Sequence, residues 1–274
     1  MTGPQVALLS GGRLHLNHCP IDLICQAWGA PSDVTQACQR AIARFETVLT
    51  ELVAELPALR SPNAALTGLI ARKMATAVAP FRPIFMTPMA AVAGAVAETI
   101  LSEFVVPGIT KAYVNNGGDI ALHLGPGETL TTALGTSAGR LTLRDTDTAR
   151  GIATSGWGGR SHSLGIADSV TVLAKTAAMA DAAATMIANA VNIDHPAITR
   201  TPACDLQADS DLGTRLVTVH VGPLTEAEAL RALDHGLAAA TRYRNLGLIE
   251  AAALFVQSHA RILGPMSLLE PSHA

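Results

Sequence analysis

Charge and aromatic rings are both scarce in this sequence. Of its 274 residues, 15% are Asp, Glu, Lys or Arg and only 3% are aromatic; an average soluble domain is roughly 25% charged. With two Trp, two Tyr, five Phe and a net charge of −3, the chain offers neither stacking platforms nor a basic face for nucleic acid. A small molecule is the expected partner. Its four cysteines (Cys19, Cys25, Cys38, Cys204) form no CxxC pair and have no His at zinc spacing, which predicts free thiols in a reducing compartment. No run approaches the roughly 20 apolar residues of a membrane-spanning helix. The nearest, residues 83–106, is broken by Pro88, Glu98 and Glu103. The opening MTGPQVALLS has no basic start and no long apolar stretch, so a cytoplasmic protein without a membrane partner is expected.

Apolar residues are plentiful at 49%, and much of that content is alanine. A core of Ala, Val, Leu and Ile implies closely packed helices against β-branched strands. Residues 13–17 alternate apolar and polar, His18-Cys19-Pro20 turns, and 21–28 run back, which predicts a hairpin within 5–29. Val34, Ala37, Ala41, Phe45, Val48, Leu49, Leu52 and Leu56 mark a long amphipathic helix capped by Ser32 or Asp33. Further helices are expected over 64–79, 90–104 and 176–191. Strands are expected over 111–115, 120–124, 170–174, 216–221 and 249–256, with one or two more within 130–143. Thr225 and Glu228 form a capping-box pair ahead of a helix through about Arg242. Residues 194–214 are polar with two prolines and read as a surface excursion. The order is neither strict βαβ alternation nor all-β, so the expected class is α+β with mixed or antiparallel sheets packed by helices. No repeat and no long linker divides the chain, which predicts one domain over 1–274. The Ala-rich, weakly charged helices would also suit the buried interface of a homo-oligomer.

Three segments carry candidate chemistry. In Val114-Asn115-Asn116-Gly117-Gly118-Asp119-Ile120, a strand meets two glycines, so bare backbone can approach a ligand, and Asp119 can accept amide hydrogen bonds. The same residues also suit an ordinary turn between strands. In Gly151-Ile152-Ala153-Thr154-Ser155-Gly156-Trp157-Gly158-Gly159-Arg160-Ser161-His162-Ser163, small residues and hydroxyls crowd one loop. Its amides, Thr154, Ser155, Gly156 and Ser161 suit phosphate oxygens, Arg160 would neutralise one, and His162 titrates in the range for proton transfer. The bland reading is a flexible surface loop. In the third, Asp181, Thr185 and Asn189 lie along one face of a helix otherwise made of Ala, Met, Ile and Val. A carboxylate and a hydroxyl one turn apart suit a hard cation such as Mg²⁺; a stripe bonded to a neighbouring loop is the alternative.

Taken in order, these segments resemble the ApbE-like superfamily, whose best-known members are FAD:protein FMN transferases. The family's VN-x-GGDI turn corresponds to residues 114–120, its ATSG segment to Ala153-Thr154-Ser155-Gly156, and its Ser-His pair to Ser161-His162. The SVTV strand and ADA-x-AT helix correspond to Ser169-Val170-Thr171-Val172 and Ala180-Asp181-Ala182-Ala183-Ala184-Thr185. The resemblance implies a T-fold-like α+β domain that binds FAD, FMN or a related nucleotide. It implies Mg²⁺ at Asp181, Thr185 and the backbone carbonyl of Val92, with Asn116, Gly117, Gly118, Asp119, Thr154, Ser155, Gly156, Arg160 and Ser161 lining the nucleotide. His162 is the implied base, and an acceptor protein's Thr or Ser hydroxyl would attack the FMN phosphorus. Three features depart from the family. Its lysine is Ala93 here, the segment after Ser-His is collapsed to residues 163–168, and no export signal is expected from the opening MTGPQVALLS. These departures leave open a second expectation, a non-catalytic flavin or small-molecule carrier or an enzyme-maturation accessory protein.

Overall fold

A computed structural model describes residues 3–133, 140–159 and 161–264. The chain runs through β1 (Gln5–Leu9), β2 (Arg13–His18), β3 (Ile21–Gly29), α1 (Pro31–Ala54), α2 (Leu56–Leu59), α3 (Leu69–Val78) and α4 (Val92–Leu101). It continues with β4 (Ile109–Asn116), β5 (Asp119–Leu124), β6 (Thr129–Ala133), β7 (Arg140–Arg144), β8 (Gly151–Ser155), β9 (Ser169–Ala174) and α5 (Ala177–Ala190). The last elements are β10 (Ile198–Pro202), α6 (Ala203–Leu206), β11 (Leu216–Val221), α7 (Glu226–Asn245), β12 (Ala251–Val256) and β13 (His259–Leu263). This is an α+β fold whose paired strands are antiparallel. None of the helices among the described residues is long and apolar enough to cross a membrane.

The described residues pack as two compact units that interleave in sequence. The first takes the chain up to Thr132 with Thr142–Ala153 and Ala174–Asp181. Its antiparallel ladder runs β1, β2, β3, β4, β5 and then the start of β8, with Cys25 opposite Val114, Asn116 opposite Asp119 and Ile120 opposite Ile152. Period-two alternation explains which face of β4 is buried. Ala112, Val114 and Asn116 are buried, while Lys111, Tyr113 and Asn115 stay partly exposed. The α1 helix buries Ala37, Ala41, Phe45, Val48 and Leu52, the stripe its spacing predicts. Its start differs from the expected cap. Pro31 occupies the first turn and Ala30 is the extended N-cap without a side-chain bond. Proline's fixed φ and missing N–H suit that position better than a hydroxyl two residues on.

Among the described residues, the second unit contains Ala133, Arg140 and Leu141, those between Thr154 and Leu173, and those from Ala182 to Gly264. In it β9 pairs with β12 and β12 with β13, all antiparallel. Helix α7 packs on β12 and β13. The Thr225 capping box forms as expected, with Thr225 accepting from the Glu228 N–H and Glu228 accepting from the Thr225 N–H at 2.8 Å. Residues 194–214 are not simply an excursion. Ile198–Pro202 pairs with β11 across a register shift between Thr199 and Arg200. One apolar residue in five gives no strand periodicity, so this strand is specified by its partner rather than by its own sequence.

Candidate functional site

The buried end of β4, the turn after it and the first turns of α4 and α5 meet in the first unit. Gly117 and Gly118 make the turn with φ of 64° and 114°, the left-handed region in which a side chain would be strained. Asn115 closes it by accepting the Gly118 N–H on its side-chain oxygen at 2.8 Å. Asn116, 5% exposed, points its amide the other way and donates to the Ala93 carbonyl at 3.2 Å. The carboxyl of Asp181 accepts the Gly94 N–H at 3.0 Å and a second amide from Ala93, two of the unpaired donors that open α4. Helix α4 returns the arrangement, since Glu98 accepts the Ala178 N–H at 2.7 Å in the first turn of α5. Lys73 of α3 stands 4.0 Å from the same Glu98 carboxylate. Gly94 is what permits this closeness, because a Cβ there would overlap the Ala177 carbonyl.

Asp181 is the electrostatic centre of this cluster. The residue keeps some surface, but its carboxyl group is enclosed by protein atoms. Burial drives its pKa well above the ordinary carboxylate range, and the neighbouring Asp119 charge pushes it further up. The Gly94 and Ala93 amides pull in the opposite direction and do not prevail. An enclosed carboxyl that feels a second acidic charge is an arrangement that a divalent cation relieves. Among the described residues no three His, Cys, Asp or Glu side chains converge as a metal cluster. A cation here would therefore draw on Asp181, Asp119, backbone or hydroxyl oxygens and water. That donor set is all hard oxygen, which matches Mg²⁺ and its habit of keeping several waters.

The structure thus brings together Asn116, Gly117, Gly118, Asp119 and Asp181, with Val92 at the adjoining start of α4. Thr185 follows Asp181 by one turn of α5, partly exposed, in the stretch that belongs to the second unit. Of the remaining expected residues, Thr154, Ser155, Gly156, Ser161 and His162 also lie in the second unit. Thr154 and Ser155 end strand β8 rather than sitting in a loop, and Thr154 pairs its hydroxyl with Thr171 at 2.9 Å. Gly156 follows directly. The Trp157 N–H donates to the Ala167 carbonyl at 2.9 Å, and its indole N–H donates to Asp168 at 3.0 Å. That bond gives Trp157 a structural role within its loop. Ser161 is exposed and His162 partly exposed, and Arg160 lies outside the described residues. The polar stripe of α5 divides. Asn189 accepts from Ser163 at 3.3 Å and from the Leu164 N–H at 2.9 Å, so it bonds a neighbouring loop. Glu98 was legible only as a charge interrupting an apolar run, and Lys73, next to Arg72 in α3, carried no signal of its own.

Residues 6–263 match a family model described as AbpE bacteria. A UPF0280 protein of Methanococcoides burtonii is 39% identical over 115 residues, covering 40% of this chain and 48% of that protein. Another from Methanothermobacter thermautotrophicus is 41% identical over 113 residues, covering 38% and 43%. The match thus spans about half the length of the curated relatives. Among solved structures, the apo form of Pseudomonas stutzeri flavinyl transferase ApbE is similar at 11% identity and a TM-score of 0.40, covering 96% of this chain and 95% of that one. Flavin transferase ApbE from Vibrio cholerae is similar at 13% identity and a TM-score of 0.38, covering 95% and 97%.

Proposed function

Because the chain belongs to the AbpE bacteria family, we propose that it binds FAD or a related flavin nucleotide together with Mg²⁺, and transfers FMN to a protein hydroxyl. The observation that carries this reading is Asp181, an enclosed carboxyl whose pKa the Asp119 charge raises further and which accepts the amides at the start of α4. The candidate holders of the cation are Asp181, Thr185 and the Val92 carbonyl, with Asp119 adding charge. When bound, Mg²⁺ would neutralise the pyrophosphate and make its phosphorus a better electrophile. The protein's own part is positioning and charge control. Asn116 fixes the Ala93 carbonyl and thereby the start of α4, and the Gly117-Gly118 turn leaves bare backbone for the nucleotide. Thr154, Ser155, Gly156, Arg160 and Ser161 are assigned to the phosphates. His162 is assigned the base role. It takes the proton of the acceptor's Thr or Ser hydroxyl as that oxygen bonds to the FMN phosphorus, the pyrophosphate bond breaks and AMP leaves.

Ala93 favours a second reading, a flavin carrier or maturation factor without turnover, because an alanine stands where the transferases carry a lysine. The two readings separate on AMP release. In the first, FAD and Mg²⁺ with an acceptor protein yield AMP, and Asp181→Ala abolishes both AMP and metal-dependent FAD binding in a folded protein. Binding by Asp181→Ala equal to wild type would remove the cation assignment.

A further inference from the structure

On the face of the first unit's sheet opposite Asn116, a cleft of about 390 Å³ opens along β3, β4, β5 and β6. Its volume lies within the range of small-molecule sites. Strand alternation builds it, for Lys111, Tyr113 and Asn115 project to this side at every second position of β4. Trp28 of β3 pairs opposite Lys111 and joins Tyr113 as an aromatic wall, ring centroids 6.0 Å apart and tilted by 45°. Ile120 supplies an apolar patch beside them. Half of the chain's four Trp and Tyr residues are thus spent on one partly open surface.

The polar groups of the cleft are arranged without spare charge. Lys111 holds its ammonium 4.6 Å from the Trp28 ring centre, 3.1 Å from Glu128, and donates to the Thr129 carbonyl at 3.2 Å. Its charge is answered by Glu128, so an anionic ligand would have to break the pair. Hydrogen bonding to Thr110 and Lys111 lowers the Glu128 pKa, which keeps that partner ionised. Tyr113 donates to the Gln26 side-chain oxygen at 3.4 Å, and Gln26 donates to the Gly11 carbonyl at 2.9 Å, which fixes that wall. Asn115 has its oxygen held by the Gly118 N–H, so its NH₂ group is oriented for an acceptor. The Thr131 hydroxyl, paired with Thr142 at 2.9 Å, offers a further group on the β6 side.

We propose that this cleft binds the uncharged planar ring of a fused heterocycle whose edge carries amide-type N–H and C=O groups. The ring packs on the Trp28–Tyr113 wall, and its edge meets the Asn115 amide and the threonine hydroxyls. The site uses neither Asp181 nor a metal, and so stands apart from the function proposed above. Riboflavin and guanosine are suitable probes, both uncharged, one with three fused rings and one with two. Titrated with the protein, riboflavin emission should be quenched saturably, or guanosine should compete with or replace it as the binder. Trp28→Leu should weaken binding about tenfold or more, the scale of one lost ring–aromatic stack, and Trp28→Phe should retain most of it, which separates stacking from misfolding. A chelator should leave the isotherm unchanged. The proposal is overturned if neither probe saturates, if Trp28→Leu binds as tightly as wild type, or if chelation abolishes binding.

Discussion

At the scale of single residues, Asp181 carries the sharpest conflict between burial and charge. Its folded pKa is raised above the ordinary 3.8, first by burial and then by Asp119. A group shifted this way contributes stability that is complete below the unfolded value and is lost as pH rises through the folded one. Without metal, the wild-type protein should therefore lose stability relative to Asp181→Asn as pH climbs from 4 toward neutrality. Asparagine still accepts the Gly94 N–H but never ionises. At pH 7 the variant should melt higher, by roughly 2–4 °C for each kcal/mol released, and Mg²⁺ should raise the melting temperature of wild type alone. A variant that melts lower than wild type at pH 7 without metal would show that the Asp181 charge is stabilised by contacts rather than opposed by Asp119.

At the scale of elements, local sequence signals succeeded where one element's own residues decide the outcome. Thr225 and Glu228 form their capping box and α1 buries the stripe its spacing marks, because both depend on residues within a few turns. Thr225→Ala should cost about 1 kcal/mol, read as a lower urea midpoint with unchanged slope. An unchanged midpoint would mean that α7 is held by its packing on β12 and β13 and not by its cap. Strands fared differently. β1 exposes four of its five residues, and β13 has an uneven pattern, so neither displays the alternation by which a strand is read. Both exist through pairing with β2 and β12. The same holds for β10. The stretch 151–155, read as part of a loop, forms strand β8: Gly151 and Ile152 pair with Ala121 and Ile120 of β5 and are buried with Ala153, while Thr154 is exposed.

At the scale of the molecule, each of the two units has its own antiparallel ladder and its own helices, interleaved along the chain. The fold class was legible because element types and order survive errors at their ends. The motif resemblance named the candidate site residues, but periodicity and spacing gave no sign of which of them meet. Nothing in periodicity shows that Asn116 would hold the Ala93 carbonyl, or that Asp181 would face Asp119 and the α4 amides. Those contacts join residues far apart in sequence and are settled only by tertiary packing. The Trp28–Tyr113 cleft was hidden for the same reason, since its residues come from four strands. The central claim is that the carboxylate pair marks a cation-dependent flavin nucleotide site. Its most direct test is calorimetric titration of nucleotide-free protein with FAD, with and without Mg²⁺. Saturable binding that requires the cation is the predicted result; FAD binding of equal strength in both conditions, or none in either, would contradict it.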